Sequence, residues 1–199
     1  MKSMNDLLLH FAQDILYAEK ASAKAYAKAA KAVENEDLKA VLLQHREQGQ
    51  AQIERLEQVF EALGKRPRGK TCAAMDGLIE EGNEAIEEGE KGPVLDAALI
   101  ACGQAMEHYE IARYGAMVAF AKQLGLGEAA GLLQQTLDEE KAMDRRLNEI
   151  AEGSLNQEAS EAGEKDDEDE KDKEEPKAEA AGGDKEEKPK TKARAKPRK

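Results

Sequence analysis

The sequence predicts an all-α chain: a four-helix bundle with a short extra helix in its crossover, followed by a disordered C-terminal tail. Three observations predict it. Aromatics make up only 4% of the residues, Trp is absent, and Ala, Leu, Glu, Lys and Gln dominate, which is the mix of a helical bundle. Pro does not occur in the first 66 residues, where apolar residues recur at helical spacing. Beyond Leu155 no apolar residue is larger than Ala. The expected organisation is therefore a bundle over 1–154 and a charged tail over 155–199.

The elements follow in order. A first helix begins near Ser3 to Asp6, where Ser and Asn can cap, and presents Leu8, Phe11, Ile15, Tyr26 and Val33 on one face. The run ENED at 34–37 breaks it and starts a second helix with Leu38, Leu42, Leu56, Phe60 and Leu63 as its stripe. GKRPRGK (64–70) closes that helix, with Gly64 as its C-terminal cap and Pro67 shortly after. A short amphipathic segment, AMDGLIEEGNEAIEEG (74–89), forms the crossover. Pro93 then sits in the first turn of a third long helix running to about Gln123, where a missing N–H costs nothing. GLG (125–127) makes a tight turn into a fourth long helix that ends near Gly153.

The formal net charge is −12, so the chain as a whole should not seek nucleic acid or an anionic membrane. No run of about twenty apolar residues is available to span a bilayer, and the N-terminal segment carries no secretory cleavage pattern. A cytoplasmic protein is expected. Cys72 and Cys102 form no spaced motif and read as buried free thiols rather than a disulfide. The tail is polarised, an acidic block up to Glu187 preceding KPKTKARAKPRK, which has no acid. It reads as a solubilising segment, with weak nucleic-acid or acidic-partner contact by the basic end as the sharper alternative. It has no interleaved aromatics for base stacking.

The chemistry is carried by acids on the wrong faces. Counting about 100° per residue, Glu19 shares the stripe of Ile15 and Tyr26. On the third long helix Glu110 falls in the middle of the face of Leu99, Met106, Tyr114 and Met117, with Glu107 just to its side. On the fourth, Glu140 and Asp144 interrupt the stripe of Leu133, Leu137 and Leu147. Burying a lone carboxylate costs several kcal/mol even after relaxation. Carboxylates converging with few inward Lys or Arg need protons or cations, and divalent ions bridged by Glu are what helical bundles use. Oxygen-rich ligation suits Fe or Mn. On the second helix the inward polar residues are His45, Gln48 and Gln52, none of them acidic, while Glu47 points away. His45 reads either as a hydrogen-bonded core histidine or as a ligand through a ring nitrogen, and a Gln oxygen can bind an ion without bringing charge. Tyr26 and Tyr114 face inward, as core residues or as donors to the ligands. His10 and His108 lie off the stripes and read as surface or inter-subunit residues.

YAEK, IERLEQVFEALG, AMDGLIEEGNEAIE, DAALIACGQAMEHYEIARYG and TLDEEKAMDRRL together resemble the YciE/YciF family of bacterial stress-associated, ferritin-like proteins, on its YciF side. The resemblance covers about residues 3–153. It implies a rubrerythrin-like four-helix bundle, a homodimer, and a centre of two Fe ions (or Mn). Its ligands would be Glu19, Glu107, Glu110 and Glu140, with Asp144 nearby. The implied activity is oxidation of Fe(II) with peroxide or dioxygen, against a non-catalytic stress protein acting through its tail. One motif departs from the family: where its second helix resembles HLEET, this chain reads His45-Arg46-Glu47-Gln48-Gly49. The inward acid has become Gln48, which should weaken at least one of the two metal positions.

Overall fold

The structure is a computed structural model that describes residues 1–163. Its elements are α1 (Met4–Ala32), α2 (Glu36–Ala62), α3 (Ala73–Glu88), α4 (Pro93–Gln123) and α5 (Gly127–Ile150). A π-helical turn, Ala151–Leu155, follows, and residues 156–163 continue as helix. Among the described residues no strand occurs, and no helix is long and apolar enough to cross a membrane.

Local chemistry explains the boundaries. Ser3 and Asp6 form a reciprocal capping box, Asp6 N donating to Ser3 Oγ and Ser3 N to Asp6 Oδ2, both at 3.1 Å. Asn35 caps α2 by accepting from Leu38 N at 2.9 Å. Asp96, 1% exposed on α4, reaches across to accept from the free amides of Glu34 (3.0 Å) and Asn35 (2.7 Å). Gly64 ends α2 with φ +64°, a left-handed conformation in which glycine avoids the Cβ clash. Pro93 opens α4 at its first turn, as its fixed φ favours.

The four long helices close a ring: α1 packs on α2, α2 on α5, α5 on α4 and α4 back on α1, while α3 lies against α1 and α4. Leu8, Ile15, Leu16, Leu38, Leu42, Leu56, Phe60, Tyr114, Met117 and Leu147 fill the interior. At Gly103 the helices come close, since an added Cβ would stand 3.3 Å from Leu147 Cδ1.

The C-terminal boundary differs from the expected one at 154. Leu155 is 1% exposed and the chain stays helical to 163. Leu147, Ala151 and Leu155 follow each other at four-residue spacing, which drifts around an ordinary helix. The wider π turn takes up that drift and keeps all three against the core. The expected tail lies, from residue 164 onward, outside the described residues. Cys72 is buried, Cys102 half-buried, and both are free thiols.

Candidate metal centre

Three helices turn acids inward and the fourth adds an imidazole. Glu19 comes from α1 (2% exposed), His45 (5%) from α2, Glu107 (0%) and Glu110 (1%) from α4, and Glu140 (0%) from α5. Each side chain replaces an apolar one on its helix's inner line, so the same amphipathic pattern that buries the leucines buries the acids. One ligand atom from each of His45, Glu107, Glu110 and Glu140 lies within 4.8 Å of the others. His45 Nε2 stands 3.2 Å from Glu107 Oε1 and 3.4 Å from Glu140 Oε2.

A shell of donors orients these groups. Tyr26 Oη donates to Glu107 Oε1, and Tyr114 Oη to Glu19 Oε1. Ser22 Oγ donates to Glu110 Oε1 at 3.4 Å. Gln52 Nε2 donates to Glu140 Oε1 and, at 3.3 Å, to Glu139 Oε2. Each carboxylate thus has one oxygen held. Glu107 Oε2, Glu110 Oε2, Glu140 Oε2, His45 Nδ1 and Gln52 Oε1 are buried without a hydrogen-bond partner. Buried polar atoms are nearly always satisfied, so orphans gathered at one place fit the binding of a cation. Outer donors on one oxygen with a free inner oxygen are also the usual support of a metal ligand.

Electrostatics agree with that fit. Burial pushes the Glu19 carboxyl up to about 7, against the pull of the Tyr114 bond. Burial, then the surrounding carboxylates, hold Glu110 and Glu140 well above the ordinary carboxyl range. Burial also opposes ionisation of Glu107, but the His45 hydrogen bond and charge outweigh it and hold its pKa low. Burial opposes the His45 imidazolium, yet Glu107 raises its pKa overall. Without a cation the site therefore retains protons, and a bound divalent ion would displace them.

The expected residues divide. Glu107, Glu110, Glu140 and His45 come together. Glu19 is buried nearby and held by Tyr114, outside the group of four. Gln52 joins as a donor to Glu140. Gln48 is half-buried and lines an open groove beside His45. Asp144 is not brought in: half-buried, it accepts from Gln104 Nε2 at 3.1 Å and stands 3.2 Å from His108 Nε2. Four residues advance a helix by about 40° beyond a full turn, enough to carry Asp144 from the Glu140 line towards α4. Tyr26 and Tyr114 prove to be both core residues and donors to the acids.

Sequence reasoning missed a buried cation. Arg55, 9% exposed, donates through Nε to Thr136 Oγ1 at 2.9 Å and through Nη2 to Glu139. It also missed the cluster in which Tyr109 Oη donates to buried Asp14 at 2.6 Å with Cys72 Sγ at 2.9 Å. The partners of both lie on other elements, and helical spacing carries no signal for them.

Known proteins resemble the chain over most of its length. Protein YciF of Escherichia coli (strain K12) is 46% identical over 160 residues, covering 80% of this chain and 96% of its own. The crystal structure of the E. coli stress protein YciF matches with a TM-score of 0.75 at 46% identity, over 78% of this chain and 99% of that one. YcfI from Rhodopseudomonas palustris matches with a TM-score of 0.72 at 48% identity, over 74% and 94% of the two chains. The sequence profile of a domain of unknown function, DUF892, matches residues 3–160. With the all-helical ring and its inward acids, these matches place the chain in the DUF892 family alongside YciF.

Proposed function

We propose that this chain is a ferritin-like bundle protein whose buried carboxylates hold two Fe (or Mn) ions, and that it oxidises Fe(II) with peroxide or dioxygen in defence against stress. The observation that carries the reading is the set of unpartnered buried atoms on Glu107, Glu110, Glu140 and His45. His45, Glu107, Glu110 and Glu140 would hold the metal, with Glu19 as the further carboxylate for a second ion. Bound there, the metal pair would supply the electron transfer. The residues do the rest. The acids neutralise the ions and favour the more highly charged oxidised state. Tyr26, Tyr114, Ser22 and Gln52 fix the outer oxygens, so the inner ones face the centre without reorganising. Ile15, Met117 and Leu147, buried one or two turns along their helices from Glu19, Glu110 and Glu140, would limit water. The stress role is carried over from the E. coli stress protein YciF. A cytoplasmic homodimer with a charged C-terminal segment completes the reading.

The test is metal content after anaerobic Fe(II) loading and gel filtration, followed by peroxide-driven oxidation read by absorbance. About two ions per chain and turnover abolished by Glu110→Ala support it; no bound metal sinks it.

A second reading is favoured by one observation. The compact group has four residues, with Glu19 outside it and Gln48 and Gln52 bringing no charge. That set suits a single structural ion in a non-catalytic protein that interacts through its tail. One ion per chain, with no Fe(II) oxidation, would select it.

A further inference from the structure

Between α2 and α5 an open groove of about 780 Å³ is lined by, among others, Gln44, His45, Gln48, Gln135, Asp138 and Glu139. A water's share of liquid is about 30 Å³, so a hydrated ion fits with room to spare. His45 belongs both to this groove and to the group of buried ligands. It is 5% exposed, and its Nδ1 has no hydrogen-bond partner. The lining chemistry selects against an anion. Arg146, the guanidinium among the lining residues, donates to Glu149 at 3.0 Å. The carboxylates are Asp138, exposed and met by Gln134 Nε2 at 2.9 Å, and Glu139. Glu139 is anchored through Oε2 by Arg55 and Gln52, while its Oε1 takes Gln135 at 3.3 Å. Gln52 thus runs from the groove carboxylate Glu139 to the buried carboxylate Glu140.

We propose that this groove is the port through which a hydrated divalent cation reaches the centre, held first by Asp138 at the mouth, beside the Arg55-paired Glu139, and met by His45 at the inner end. The proposal rests on the buried group being a metal site. Gln48 then acquires a role that a carboxylate would serve badly. A neutral amide at the threshold offers an oxygen to the passing ion without trapping it, whereas an acid there would compete with the interior for the charge. The steering acid, Asp138, remains outside, where its field reaches solvent and is screened by salt.

The experiment is stopped-flow uptake of Co(II) alone by the full metal-free chain, read in the Co(II) d–d absorbance, with equilibrium affinity measured separately. Asp138→Lys should slow uptake about tenfold at low salt, with the difference shrinking as ionic strength rises and the equilibrium affinity unchanged. Glu57→Lys, the same charge reversal at an exposed position outside the groove, should load at the wild-type rate. Asp138→Lys loading as fast as the wild type would overturn the port while leaving the centre intact. An affinity loss as large as the rate loss would also overturn it, because a port alters entry and exit alike. No Co(II) uptake by the wild type would remove the centre itself, and the port with it.

Discussion

Tyr26 is a single hydroxyl in a wholly buried ring, yet it stands between Glu107 and an unsatisfied interior. Tyr26→Phe would leave Glu107 one donor short. Removing such a partner from a buried polar group costs about 1–3 kcal/mol, and losing an outer-shell partner typically lowers metal affinity about 10–100-fold. Thermal melts of the metal-free protein and a Co(II) titration would read the two effects separately. The titration of the acids gives a second expectation. Glu19 has an ordinary value of 4.5 and sits near 7 when folded. Between those values the folded chain keeps a proton that the unfolded chain has released, so stability falls as pH rises through that window. Glu110 and Glu140 shift the same way. His45, raised from 6.5, stabilises below that value and loses its contribution as pH rises. Glu107, held low, acts in the opposite sense, stabilising above 4.5 and losing that as pH falls. The balance predicts that the metal-free protein melts at a lower temperature at pH 8 than at pH 5.5. Saturating Co(II) should shrink or reverse the difference. Circular dichroism melts at both pH values, with and without the ion, would check it.

At the scale of elements, the helical pattern was legible because each helix repeats one physical demand many times. Leu8, Ile15 and Tyr26 on α1, or Leu133, Leu137 and Leu147 on α5, mark an inner line that any acid on it must share. Glu19, Glu110 and Glu140 were visible for that reason. Asp144 misled because a residue at the edge of the stripe is decided by its neighbours, and Gln104 and His108 on α4 hold it away. Arg55 and Asp14 were hidden for the complementary reason, since each is buried by partners distant in sequence. The end of α5 was misjudged because polar residues surround Leu155, and a π turn is needed to aim it inward. Leu155→Ala should therefore cost about 2–4 kcal/mol, measured by denaturant unfolding. Gly103→Val, which forces a side chain against Leu147, should cost about 1–3 kcal/mol by overpacking.

For the whole molecule, the ring of helices and the centre it encloses are coupled by mass action. An ion bound only by the folded state at about 100 times its dissociation constant adds about 2.7 kcal/mol of stability. A chelator should lower the melting temperature accordingly, and Glu107→Ala should abolish that response. The buried Asp96 carboxylate has a consequence at this scale. It sits on the second helical hairpin and closes the bend of the first, like a latch fitted to the opposite door. Neither hairpin owns all the parts needed to finish its own corner. A fragment ending at residue 62 would leave two corner amides to solvent, and the intact chain should come apart in one step rather than half at a time.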